Sequence, residues 1–152
     1  MASSRLPASA LPIDAVFALL LGLRQREPSP KLPRRLINLF RELAEPHPGR
    51  SPEEIEDLIW ALWISHEDPA AEEAMGKAVE AMAGGSLEPA RTVLDGLLAL
   101  HPDWPEAWNK RATLNFIEKR DADSLRDIEQ TLRLEPRHFA AISGFIVAGR
   151  KP

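Results

Sequence analysis

No cysteine occurs in the chain, which removes disulfide scaffolds, thiol nucleophiles and cysteine-ligated zinc or iron–sulfur centres. Tyrosine is absent too, so the aromatic bulk rests on four tryptophans and five phenylalanines. Alternating β-branched runs are missing, which argues against a sheet. No apolar run approaches the roughly 20 residues that span a bilayer. The chain also lacks a GxSxG elbow, an HExxH pair and a phosphate loop, since Gly84-Gly85 is followed by neither a lysine nor a strand pattern. Of the four histidines, His47, His66, His101 and His138, none has a ligand-like partner at metal-binding spacing. His101 and His138 read as turn residues.

Acidic clusters do not fill the gap. Glu53, Glu54, Glu56 and Asp57 gather at a helix start, where carboxylates interact favourably with free N–H groups. Asp121, Asp123 and Asp127 form a second group. Glycosidase chemistry needs two carboxylates held apart across a pocket, and nothing in the pattern provides that. The expectation is a non-enzyme with no catalytic residues, no metal and no cofactor.

What remains is a 152-residue chain, 44% apolar, with enough hydrophobic material for a core. Its net charge of −4 is unevenly spread: residues 1–50 carry eight basic and four acidic side chains, residues 51–104 two and twelve, residues 105–152 nine and seven. Arg5 followed by the nine-residue run Ala15–Leu23 resembles a short signal peptide. Arg24, Arg26 and Glu27 follow in place of a small-x-small cleavage site, so a folded amphipathic helix is the plainer reading.

Helical periodicity recurs along the chain, and eight helices are expected. The spacing predicts helices over Asp14–Arg24 and Arg34–Leu43, separated by the breaker REPSPKLP. Ser51-Pro52-Glu53-Glu54 carries a cap, a first-turn proline and a capping-box glutamate. Asp68-Pro69 repeats the cap-and-proline device. Further helices are predicted over Asp68–Met82, Leu87–Leu100, Trp104–Ile117 and Ala122–Leu134, with a last one opening at Phe139.

The later segments share a register. If the units are 71–104 and 105–138, Ala78 matches Ala112, Leu94 matches Ile128, Leu98 matches Leu132 and Pro102 matches Pro136. A helix–turn–helix unit of 34 residues cannot bury its apolar stripe alone, so it stacks on neighbours. With Trp108, Ala112 and Pro136 in the second unit, and Ala78, Ala90 and Pro102 in the first, the pattern resembles the tetratricopeptide repeat family. Departures are Ala74 for an aromatic, Lys77 and Arg111 for leucine, and Ser124 for alanine. EAWNKRAT with SLRDIEQTLRLEPRHFAAISG is similar to small bacterial, especially alphaproteobacterial, members.

That resemblance implies an all-α helical-repeat solenoid: an N-terminal helical region over 1–67 laid on the repeats, repeats within 68–152, and a cap over 139–149. It also implies a non-catalytic interaction module in a bacterial cytoplasm or an organellar soluble compartment. Glu106, Asn109, Lys110, Thr113 and Phe116 would then line a concave face. Asn109, Lys110, Thr113 and Phe116 are the expected contacts for a protein or peptide partner, with Trp60 and Trp104 as apolar contacts or core. A carboxylate clamp would be incomplete, because the preceding unit presents Met75, Gly76 and Val79. Arg111, set where leucine is usual, is expected to pair with an acid such as Asp127. Arg34, Arg35, Arg41, Lys119 and Arg120 match no nucleic-acid motif, so neither nucleic acid nor membrane is an expected partner. The competing expectation is self-association, the acidic middle meeting a basic end in a homo-oligomer.

Overall fold

The computed structural model describes residues 12–45 and 49–149. Among them are eight α-helices and no strand: α1 Pro12–Leu21, α2 Arg35–Ala44, α3 Pro52–Trp63, α4 Pro69–Ala83, α5 Leu87–Leu100, α6 Pro105–Ile117, α7 Asp121–Leu134 and α8 Phe139–Gly149. His47, Arg5 and the serine-bearing stretch ahead of Pro12 lie outside the described residues.

The helix starts follow from side-chain chemistry. Ser51 Oγ accepts from the Glu54 N–H at 3.1 Å, and Asp68 Oδ1 accepts from the Ala70 N–H at 3.0 Å. Each thereby satisfies a donor that the first helical turn leaves unpaired. Pro52, Pro69 and Pro105 occupy first-turn positions, where a missing N–H costs nothing. α1 ends earlier than its apolar run suggests. Gly22 stops the α-helix, and Leu23–Gln25 continue as one 3-10 turn.

The 34-residue register is written in the backbone. α4 closes with the Ser86 N–H bonded to Ala81 O at 2.8 Å, and α6 with the Arg120 N–H bonded to Asn115 O at 2.8 Å. Between these partners stand the two left-handed residues, Gly85 at φ +78° and Lys119 at φ +61°. The units also end alike: the His101 N–H bonds to Leu97 O and the Glu135 N–H to Thr131 O, then the Trp104 N–H to His101 O and the His138 N–H to Glu135 O.

α4 packs on α5, α6 on α7, α5 on α6 and α7 on α8, so each second helix is flanked by two first helices. Ala78, Leu94, Leu114 and Met75 are almost wholly buried in the first junction. The departures from the repeat pattern are absorbed locally. Ser124 sits at the tight α6–α7 contact and donates its hydroxyl to Ala112 O at 2.8 Å. Lys77 stays in solvent near Glu73, whereas Arg111 is drawn into bonds with α7. Trp108, at the position Ala74 fills in the first unit, donates Nε1 to Pro102 O at 2.8 Å. Leu100, matched by spacing to the half-buried Leu134, is instead 75% exposed, because Leu97 and Leu98 take the core side of the last turn of α5.

The three helices ahead of the repeats go to two different places. α1 packs on α7 and α8, where Val16 and Leu19 join Leu125, Ile128, Leu132 and Ala141. α2 and α3 pair with each other as a hairpin around Leu36, Leu39, Ile55, Ile59 and Trp63. The linker between α1 and α2 is pinned by the Ser29 N–H to Leu134 O at 2.8 Å and by Lys31 Nζ to Asp103 Oδ2 at 2.8 Å.

Candidate binding groove

The first helices α4, α6 and α8 lie side by side and bring equivalent positions into line. One row reads Gly76, Lys110, Gly144, and the next reads Val79, Thr113, Val147, each 34 residues apart. Between α6 and α8 this face opens into a cavity of about 220 Å³. Asn109, Thr113 and Phe116 line its α6 wall, Gly144 and Val147 its α8 wall, and Ile128 of α7 its floor. Three of the four residues expected at a partner site therefore share one pocket.

The polar atoms of this pocket are mostly spent inside the protein. Asn109 Nδ2 donates to Glu106 Oε1 at 3.1 Å, Thr113 Oγ1 to Asn109 O at 3.2 Å, and Ser124 Oγ to Ala112 O. Such a pocket suits an apolar side chain and offers nothing for proton transfer.

Lys110, the fourth expected residue, is turned elsewhere. Its Nζ lies 3.3 Å from Glu106 Oε1 and 5.3 Å from the centre of the Trp60 ring. It belongs to a buried polar hub that the sequence pattern did not reveal. Glu106 and His138 are both fully buried, with His138 Nε2 2.7 Å from Glu106 Oε2. The Ala141 N–H donates to His138 Nδ1, which leaves Nε2 as the protonated nitrogen facing the carboxylate. His138 directly follows the turn at Pro136 and Arg137, in keeping with its place at a unit end, and it is buried. Trp104 and His138 stand 34 residues apart at the caps of α6 and α8, and both are buried. The repeat register was the available signal, since a position buried as tryptophan in one unit predicts burial in the next.

The hub is roofed by the α2–α3 hairpin. Trp63 stacks on His138 with ring centroids 4.1 Å apart and planes 8° from parallel. Trp60 meets His138 and Phe139 edge-on, both at 5.6 Å. Trp104 donates Nε1 to Trp63 O at 2.8 Å, and Arg137, held by the buried Glu135, covers the Phe40 ring at 4.6 Å. Trp60 and Trp104, expected as contacts or core, are thus both engaged within the chain.

On the opposite side, α5, α6 and α7 frame a charged basin. Arg111 makes a two-pronged bond to Asp127, Nε to Oδ2 and Nη2 to Oδ1, both 2.9 Å, and its Nη1 reaches Asp95 at 3.0 Å. The expected Arg111–Asp127 pair is therefore present. Asn115 Nδ2 adds a third donor to Asp127, and Arg91 bonds Asn115 and Glu118. Burial pushes the Asp127 carboxyl above the usual carboxylate value, outweighing the pull of Arg111; the bond to Asp127, in turn, raises Arg111 further. The paired charges read as a clamp between helices. A third cleft, of about 840 Å³, lies by Lys31, His66, His101 and Trp104. Among the described residues no group of three or more His, Asp or Glu side chains is arranged to hold a metal ion, and no helix is long and apolar enough to cross a membrane.

No protein-family model matches the chain, and no solved structure matches it. A TPR repeat-containing protein of Rhizobium etli is 33% identical over 144 residues, covering 95% of this chain and 68% of that protein's length. Its name agrees with the 34-residue backbone register, the all-helical architecture and the side-by-side first helices described above. The chain belongs to the tetratricopeptide repeat proteins, with an alphaproteobacterial relative along nearly all of its length.

Proposed function

We propose that the protein is a non-catalytic interaction module that takes an apolar side chain of a protein or peptide partner into the pocket between α6 and α8. The observation that carries this reading is the convergence of Asn109, Thr113 and Phe116 with the glycine and valine of α8 on one mostly apolar cavity. Gly144 keeps the α8 wall low, so a partner backbone can approach closely. Lys110, held by Glu106 and lying over Trp60, stands outside this pocket. The two-part organisation belongs to the same proposal, with residues 1–67 as a helical region on the repeats and 68–152 as repeats with their cap. So does a soluble compartment, bacterial or organellar.

A displayed random-peptide library, panned against the protein and against Thr113→Arg and Val147→Glu, tests it. Both substitutions change exposed side chains, so folding should survive. Enriched peptides that share an apolar anchor and are lost with both variants support the pocket. Peptides that bind the variants equally well rule it out.

One observation favours the second reading, self-association. Phe17 and Leu21, one turn apart on α1, are 57% and 76% exposed, and Ile146 on the contacting helix α8 is exposed as well. Sedimentation that shows a concentration-dependent dimer, abolished by Phe17→Glu, would shift the assignment to a structural subunit.

A further inference from the structure

The first-helix face already has an occupant. α3 offers Trp60 and Trp63, three residues apart on one side of a helix, to a surface made of Trp104, Glu106, Lys110, His138 and Phe139. Several observations mark the hairpin as docked there. It has its own small core of Leu36, Leu39, Ile55 and Ile59. Its two helices make their main backbone contacts with each other, and it meets the repeats chiefly through side chains: Trp60 and Trp63 on His138 and Phe139, and Arg137 over Phe40. It is joined to the rest of the fold by two non-helical stretches, Pro33–Arg34 beyond the linker pins and residues 64–68 before α4, the second held by the His66 ring against His101 and Trp104. Docking also leaves a cost: Trp63 Nε1 is buried and has no hydrogen-bond partner among the described residues.

The covered surface has the composition of a recognition site. An imidazole face and a phenylalanine receive aromatic rings, a lysine lies over one of them, and an indole N–H binds a helix-end carbonyl. Beneath lie Glu106 and His138, polar groups that a solvent-facing helix start would ordinarily keep wet.

We propose that this surface is a docking site for an α-helix bearing two aromatic side chains at i and i+3, that the α2–α3 hairpin is its resident occupant, and that a partner helix of the same chemistry displaces the hairpin. The site is separate from the α6–α8 pocket, since Thr113 and Val147 take no part in it.

The probe is a fluorescein-labelled synthetic peptide of residues 52–65, PEEIEDLIWALWIS, titrated by polarisation into the full chain. Trp63→Ala loosens the hairpin, raises the fraction of open molecules and should bind the peptide at least about tenfold more tightly than wild type. A peptide with both tryptophans replaced by alanine should not bind, and Thr113→Arg should leave the affinity unchanged. Equal binding by wild type and Trp63→Ala, or binding by the alanine peptide, overturns the proposal. Should Trp63→Ala not fold, native-state hydrogen exchange on the wild type decides alone. Hairpin amides in α2 and α3 that exchange through an opening well below global unfolding support a displaceable occupant. Amides that exchange only with α6 and α7 exclude one.

Discussion

Arg111→Ala is expected to destabilise the protein by about 2–3 kcal/mol at neutral pH. The Asp127 side chain is only 5% exposed, and it loses two of three charge-assisting donors when the guanidinium goes, keeping Asn115 Nδ2 alone. A buried carboxylate stripped of its cation ordinarily costs about 3–5 kcal/mol. The 24% exposure of Arg111 and the surviving Asn115 bond set the expectation just below that range. Part of the loss comes from packing, because the Arg111 guanidinium lies 5.1 Å from the Trp108 ring centre. The first repeat shows how to separate charge from shape: it carries Lys77 and Val93 where the second carries Arg111 and Asp127. Arg111→Met with Asp127→Val removes both charges but leaves the buried Asn115 Nδ2 without its acceptor, so it should cost about 1–2 kcal/mol, less than Arg111→Ala.

The pH dependence sharpens the test. Burial already holds Asp127 above its usual value, and without Arg111 it rises further. A carboxyl with a raised folded pKa favours the fold when protonated and loses that contribution as pH rises through the folded value. The deficit of Arg111→Ala should thus be largest at neutral pH and shrink toward about pH 4–5. Urea unfolding followed by tryptophan fluorescence at both pH values measures it. A neutral-pH deficit below about 0.5 kcal/mol, or a double variant worse than either single one, refutes the reasoning.

Other substitutions probe separate devices. Lys119→Gly should stabilise by about 0.5–1 kcal/mol in thermal or urea unfolding, because a β-carbon is strained at φ +61°, and Gly85→Ala should destabilise by a similar amount. Trp104→Phe, which keeps the ring but not the bond to Trp63 O, should cost about 1 kcal/mol and speed exchange in α3. The hydrogen bond from Lys31 holds Asp103 below the usual carboxylate value, so this pin stabilises above that value and is lost as pH falls through the depressed one. Asp103→Asn should accordingly be less stable than wild type at neutral pH and match it at about pH 2–3 in urea titrations.

Most of the architecture was legible because it is local. Ser51, Asp68, Gly84-Gly85, Pro102 and Pro136 act within a turn of the chain, and a 34-residue register makes one unit a template for the other. Even Arg111 with Asp127 could be read, since a cation in a leucine position demands a partner nearby. What stayed hidden lies between elements far apart in sequence. Nothing in the α3 pattern says that Trp63 lands on His138, and nothing around Lys110 says that Trp60 draws it away from the pocket holding Asn109, Thr113 and Phe116. Periodicity states which face of a helix is apolar, not which distant face it meets. Leu100 shows the same limit, being matched by spacing but left without a neighbour to cover it.

The packing of α1 on α7 and α8 changes how the molecule comes apart. A bare stack of repeats behaves as a one-dimensional chain that frays from its outer units inward. Here Val16 and Leu19 bind residues that follow them only much later in the chain, so the last units cannot loosen without also freeing the first helix. That closure trades speed for cooperativity. Long-range contacts slow folding, and during synthesis α1 must wait with an uncovered apolar face until α7 and α8 have emerged. Once closed, the loop links both ends of the described fold in one unfolding event.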